Sequence, residues 1–274
     1  MVQYYVIICP FIQVAHRKEF TVNSLAILIL TKNEEINIVD VVQNAKKCTD
    51  EVIVIDSGST DRTVELAKAQ GAKVTFRAWD DDFAAQRNFA LEQTEADWVL
   101  YLDADERLND ELIAAIHQIL ENGDKGVQYA ITRKSVAFDV TFNHGVLDPD
   151  HVRRMFPRTT VRWVHKVHEH PECDLPEKRL SGYIEHHTYR DWKEWEEKLC
   201  LYTTIWAEDA YTRGKRTSMG GIFLHSIGGF FKMFVLRKGF LDGAIGSYLC
   251  CTHFFYTMLK YLKLHELQRK HGDR

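Results

Sequence analysis

Residues 98–107 read WVLYLDADER: five apolar residues run into Asp103 and Asp105, one residue apart, with Glu106 and Arg107 behind them. Two carboxylates at that spacing in an extended strand tip can converge on one centre, directly or through water. Hard cations such as Mg²⁺ or Mn²⁺ take such oxygen ligands and accept diphosphate oxygens as the others. Taken alone, an Asp-x-Asp is as readily a solvated strand end. Two further polar segments follow apolar runs, TKNEE at 31–35 and DSGSTD at 56–61. In the second, Asp56 is placed to accept hydrogen bonds from a ligand's base or ribose. The same stretch also reads as a well-capped turn, with Ser59 or Thr60 as cap and Asp61 favourable in the first helical turn. No Gly-x-Gly-x-x-Gly is present, so a dinucleotide crevice has no support.

The elements that must position these residues have a clear rhythm. SLAILIL (24–30), EVIVID (51–56), AKVTFRA (72–78) and DWVLYLD (97–103) read as strands. Between them, 33–47, 61–70 and 83–93 have helical character; Ile36, Val39, Val42 and Ala45 recur every three. Alternating strands and short helices predict an α/β domain on a mostly parallel sheet over roughly 24–120. The three polar segments then share the carboxyl edge of one sheet, where ligands collect in such folds. After Gly123 the pattern changes. VQYAITRK (127–134), RWVHKVHEH (162–170) and GYIEHHTY (182–189) read as strands or strand-like loops, and a mixed helix runs from Trp192 to about Tyr211.

A net charge of −4 over 274 residues gives no basic field for nucleic acid. The six cysteines form no Cys-x-x-Cys pair and no zinc spacing, which fits reduced thiols of a cytosolic protein. YYVIICPFI (4–12) is too short to span a bilayer and lacks a preceding basic region. Residues 1–23 are left as an N-terminal extension: an interfacial anchor, an extra strand or upstream sequence.

ILTKNEE, VIDSGSTDRTVELAKAQGAKV, FAAQRNFAL and WVLYLDADERL, in this order and spacing, resemble the nucleotide-sugar domain of family 2 glycosyltransferases. The later HGVLDPDHVRRMFPR, VHEH and KGFLDG resemble the WaaE-like enzymes of lipopolysaccharide core biosynthesis. The resemblance covers about residues 24–265. It implies a GT-A fold, a mostly parallel mixed sheet with a C-terminal helical extension. The expected division is a catalytic domain over 24–190 (donor half 24–122, acceptor half 123–190) and a helical region over 191–274. It also implies a nucleotide-diphospho-sugar donor, such as UDP-glucose, a divalent Mg²⁺ or Mn²⁺, and single displacement with inversion.

Carried over by position, Thr31 and Glu34 would line the nucleotide pocket and Asp56 would bind the base. Arg87 and Asn88 would sit near the base or diphosphate, Asp103 at the ribose or metal, and Asp105 at the metal. Inversion needs a base for the acceptor hydroxyl. Asp150 of LDPD is the first candidate, with Asp148 and Glu169 as alternatives. By analogy with other GT-A enzymes, His168 of VHEH is a candidate third metal ligand. Arg153, Arg154 and Arg158 are candidates for a diphosphate or an anionic acceptor.

GGFFKMFVLRKGF (228–240) and SYLCCTHFFYTMLKYLKL (247–264) mix aromatics with basic residues, which suits an interfacial position on anionic lipid. The expectation is a transferase acting on a glycolipid or oligosaccharide acceptor, cytoplasmic and peripheral on the inner face of the membrane. The rival expectations are the same chemistry on a capsule, teichoic-type or protein acceptor, and a non-catalytic nucleotide-binding GT-A scaffold.

Overall fold

The computed structural model describes residues 23–122, 125–166 and 169–272; the expectations for residues 1–22 and for His168 lie outside them. The first half alternates strand and helix: β1 (Leu25–Thr31), α1 (Ile38–Ala45), β2 (Val52–Asp56), α2 (Thr63–Ala69), β3 (Lys73–Phe76), α3 (Phe83–Leu91) and β4 (Trp98–Asp103). Strands β3, β2, β1 and β4 lie side by side in that order, all parallel. Their apolar runs are unbroken because both faces are covered. Ile27, Val54 and Leu100 face one core with Val41 and Val42 of α1, whereas Leu28, Ile55 and Tyr101 face another with Ala84 and Ala90 of α3.

The second half comprises β5 (Glu106–Leu108), α4 (Asp110–Asn122), β6 (Gln128–Ala137), β7 (Val140–Thr141), β8 (Asp150–Pro157), β9 (Arg162–Val164), β10 (His170–Glu172) and β11 (Glu177–Tyr189). Strand β8 runs antiparallel to both β4 and β6, and so joins the halves into one sheet of order β3-β2-β1-β4-β8-β6-β11-β5, with β7 on β6. The two halves of the chain therefore share a single mixed layer. Just Ala104 and Asp105 separate β4 from β5, yet β8, β6 and β11 lie between those strands in the sheet. The sheet must curl back on itself, and the Asp103–Glu106 turn sits at the seam.

Strand β11 closes that seam. Its register against β6 breaks between Arg179 and Tyr183, around Gly182 at φ 80°. There the Leu112 and Tyr183 N–H groups both donate to Asn109 Oδ1, at 3.0 and 2.9 Å. This anchors β11 so that His186 lies opposite Glu106 of β5.

Helix α1 begins at Ile38, not at Asn33 as the apolar spacing predicts. Asn33 takes φ 57°, and residues 33–37 are spent on loop contacts described below. The C-terminal helical extension is present as α5 (Trp192–Thr212), α6 (Met219–Phe231), a π turn at Lys232–Leu236, a 3₁₀ turn at Gly239–Asp242 and α7 (Gly243–Lys270). Ala207, Ala210, Ile222, Tyr261 and Leu264 form the core of the three helices. The buried Asp242 carboxylate accepts the Asn143 and His144 N–H groups at 3.0 and 2.7 Å, so the NHG and KGFLDG stretches form one lock.

A Cβ on Gly182 would stand 2.3 Å from Leu112 N and 2.6 Å from Asn109 Oδ1. Gly182→Ala combines that overlap with a positive φ, and should cost about 2–4 kcal/mol in urea unfolding. An unchanged midpoint would show that the β11 anchor is not as tight as described.

Candidate active site

The two loops at the carboxyl ends of β1 and β2 are built against each other. Asn33 N–H donates to Ser59 Oγ and Thr60 N–H to Asn33 Oδ1, at 2.9 and 2.8 Å. Glu34 N–H donates to Thr63 Oγ1 at 2.7 Å, and Glu35 N–H to Asp61 Oδ2 at 3.1 Å. Asp56, 4% exposed, accepts the N–H groups of Gly58 and Ser59 at 3.0 and 3.1 Å. It therefore shapes the turn that presents Ser57. A carboxylate has about four acceptor sites, so capacity for a further N–H remains.

The Asp103–Glu106 turn is held by arginines. Asp103 Oδ1 accepts from Arg87 at 3.0 Å and Oδ2 from Arg154 at 2.7 Å, while Arg154 also donates to Glu106 Oε1 at 2.8 Å. Arg154 is the extra residue of a β-bulge, because Met155 and Arg153 oppose the consecutive Tyr129 and Ala130. Such a bulge re-aims a side chain. Glu106 is fully buried, and its Oε2 accepts Asp103 N–H at 3.0 Å. Burial pushes both carboxyls up; for Asp103 the guanidiniums of Arg154 and Arg87 win and hold it well below the usual carboxylate range. For Glu106 burial prevails over Arg154, and the Asp103 charge adds to the upward push.

Next to this turn lies a cavity of about 360 Å³ lined by Thr31, Glu34, Ser57, Trp79, Phe83, Gln86, Asp103, Asp105 and His186, among others. Burial raises the Glu34 carboxyl, with the Asn37 hydrogen bond opposing and the Asp105 charge adding to it. Asp105 Oδ2 is 3.2 Å from His186 Nε2. Carboxylate and imidazole both bind divalent cations, so Asp105 and His186 are the residues here that could hold Mg²⁺ or Mn²⁺. No group of three or more His, Cys, Asp or Glu side chains that could hold a metal ion occurs among the described residues. Asp103, expected at the ribose or the metal, has each of its oxygens paired with an arginine, and one acceptor position on each oxygen remains. His186 was not singled out by its pattern: GYIEHHTY gives a strand, and only the pairing of β11 with β5 brings it to Asp105.

The QRN segment is divided by helix geometry. Gln86, fully buried, lines this cavity; its Nε2 donates to the Arg77 and Ala78 carbonyls, leaving Oε1 without a partner. Asn88, expected at the donor, is instead a clamp on β9. Its Nδ2 donates to Trp163 O at 2.8 Å and its Oδ1 accepts from Trp163 N at 2.9 Å. Arg87 faces a second cavity, which shares Asp103 with the first and includes Glu169.

Of the three base candidates, Asp148 is paired with Arg237 of the C-terminal region. Asp150 is gripped by Arg133 through two hydrogen bonds, at 3.0 and 2.7 Å. Glu169 lines the second cavity, 3.9 Å from Arg87 Nε and 23% exposed.

The chain is similar to known proteins along most of its length. A Rickettsia typhi protein described as an uncharacterized glycosyltransferase is 32% identical, over 90% of this chain and 88% of its own. The lipopolysaccharide core biosynthesis glycosyltransferase LpsC of Rhizobium meliloti is 27% identical, over 90% of this chain and 94% of its own. Among solved structures, a glucosyl-3-phosphoglycerate synthase from Mycobacterium tuberculosis in complex with Mn²⁺ and UDP is 26% identical, over 42% of this chain and 44% of that one, with TM-score 0.34. The sequence model described as Glycosyl transferase family 2 matches residues 26–169. A match over more than half the chain, with a relative at 32% identity along nearly all of it, makes this protein a glycosyltransferase of family 2.

Proposed function

We propose that the protein transfers a sugar, with inversion, from a nucleotide-diphospho-sugar such as a UDP-sugar to a cell-envelope glycolipid of the lipopolysaccharide core type. The observation that carries this reading is the pair of cavities meeting at Asp103, one with the Asp105–His186 pair and one with Glu169. The acceptor class is supported by the similarity to LpsC.

The donor occupies the first cavity. Trp79 and Phe83, 4.6 Å apart edge to face, offer apolar walls for the base, and Gln86 Oε1 is an acceptor for one of its N–H groups. Thr31, Glu34 and Ser57 line the rest, with Asp56 behind the turn. A divalent cation on Asp105 and His186 would stabilise charge developing on the leaving diphosphate. Asp103 stays ionised between Arg87 and Arg154 and faces the ribose. Glu169, not Asp150, is the base: it takes the acceptor hydroxyl proton as that oxygen attacks the anomeric carbon and the bond to diphosphate breaks. Asp150 loses this place because Arg133 engages both its oxygens.

The protein sits peripherally on an anionic membrane. The outward face of α6 is apolar where a water-soluble helix would be polar. Met219, Phe223, Leu224, Ile227 and Phe231 are exposed, and so is Leu236 beyond them, with Lys232 and Lys238 alongside. The stretch 219–236 is long and apolar enough to cross a membrane, with 11% of it buried, but Lys232 interrupts it and favours an interfacial position.

Three outcomes are expected. The purified chain should hydrolyse a UDP-sugar slowly with Mn²⁺ or Mg²⁺, and Asp105→Ala should lower this about 100-fold or more, the low end of removing a main charge-stabilising group. Calorimetry showing no metal-dependent binding of a nucleoside diphosphate would sink the reading. Glu169→Gln should slow transfer by about 10²–10⁴ while retaining donor binding; full activity in that variant returns the base to Asp150 or Asp148. The intact chain should float with phosphatidylglycerol vesicles, and Phe223→Asp with Leu224→Asp should leave it in the pellet. A wild-type chain that ignores such vesicles refutes the membrane position.

A further inference from the structure

The second cavity holds more positive side chains than the donor chemistry uses. It measures about 370 Å³ and is bounded by Arg87, Arg133, Arg153, Arg154, Trp163 and Glu169, with Asp103 at the edge it shares with the donor cavity. Three of the four arginines are spoken for in part. Arg154 is held by Asp103 and Glu106, and Arg133 by Asp150 and Glu106. Arg87 lies 4.5 Å over the Trp163 ring, reaches Asp103 with one nitrogen and has Glu169 3.9 Å from its Nε.

The remaining donors are what matter. Arg87 is 5% exposed, yet its Nε and Nη1 make no hydrogen bond, and neither does the buried Nε of Arg154. A buried donor without a hydrogen-bond acceptor is destabilising, so these groups favour a ligand that brings one. Arg153, half-buried on β8, forms no ion pair among the described residues and stands at the same cavity. Guanidinium donors converging from two directions suit a phosphate or carboxylate, which brings several acceptor oxygens at once.

Resting on the glycosyl-transfer reading, we propose that this cavity is an anion subsite for the acceptor. In it, Arg87 and Arg153 hold a phosphate or carboxylate carried near the hydroxyl that Glu169 deprotonates. The acceptor is thereby an anionic sugar. Fixing its charge beside Asp103 orients the hydroxyl toward the anomeric carbon. The same oxygen chemistry could come from the donor's diphosphate, and the experiment separates the two sources.

Inorganic phosphate is titrated into the full chain by calorimetry, with and without saturating UDP and Mn²⁺, for wild type and for Arg153→Gln. Phosphate should bind wild type with UDP already in place, and Arg153→Gln should weaken it at least fivefold. UDP affinity is measured on the same samples. Phosphate binding that disappears when UDP is present assigns the arginines to the donor diphosphate and overturns the proposal. So does an Arg153→Gln chain that binds phosphate like wild type, or one that loses UDP as well. If UDP fails to bind wild type, the transfer reading falls separately, while the phosphate titration still reports on the cavity. Thermal unfolding of the variant near that of wild type confirms that the loss is local.

Discussion

Arg154 stands 2.7 Å from Asp103 and 2.8 Å from Glu106 with 5% of its side chain exposed, and the geometry of the site depends on that contact. A buried guanidinium between two carboxylates is tolerated because each charge has a partner; removing one would strand the others, at about 3–5 kcal/mol. The bulge in β8 is what turns Arg154 inward. Arg87 then fills the other side of Asp103 from α3. Of the three acids in DADE, two are thus consumed as counter-ions. Asp105 pairs with no arginine among the described residues and faces His186 instead. The division of labour among these acids follows from where the arginines lie.

The curl of the sheet makes this arrangement possible. Because β4 passes into β5 through two residues, the far edge of the sheet has to return to the same turn. It brings His186 on β11, Arg133 on β6 and Arg154 on β8 around residues 103–106. The two cavities then meet at one side chain, Asp103. The C-terminal helices are joined to this unit by Asp242 against the 143–144 backbone and by Gly145 N–H on the Arg237 carbonyl, so the apolar face of α6 is carried with the site.

Much of the frame is legible in the residues themselves. Runs such as LAILIL and WVLYL announce strands covered on both faces, and the polar stretches behind them mark one ligand edge. The start of α1 was not legible. Apolar spacing alone favours a helix from Asn33, but Asn33, Glu34 and Glu35 gain more by bonding to the 59–63 loop. In QRN the motif was visible and the assignment was not. A helix turns about 100° per residue, so Gln86, Arg87 and Asn88 face the first cavity, the second cavity and the β9 backbone in turn.

Sequence alone determined the alternation of strands and helices, the carboxyl edge that bears the chemistry, and the residue types gathered there, because hydrophobic period and turn composition are local properties. Tertiary structure decided how those residues are paired. Whether an aspartate is a counter-ion or a free ligand depends on arginines 16 and 51 residues away, and the imidazole beside Asp105 comes from a strand about 80 positions later. Such pairings are set by strand register and a bulge across the curled sheet, which no short stretch of the chain encodes.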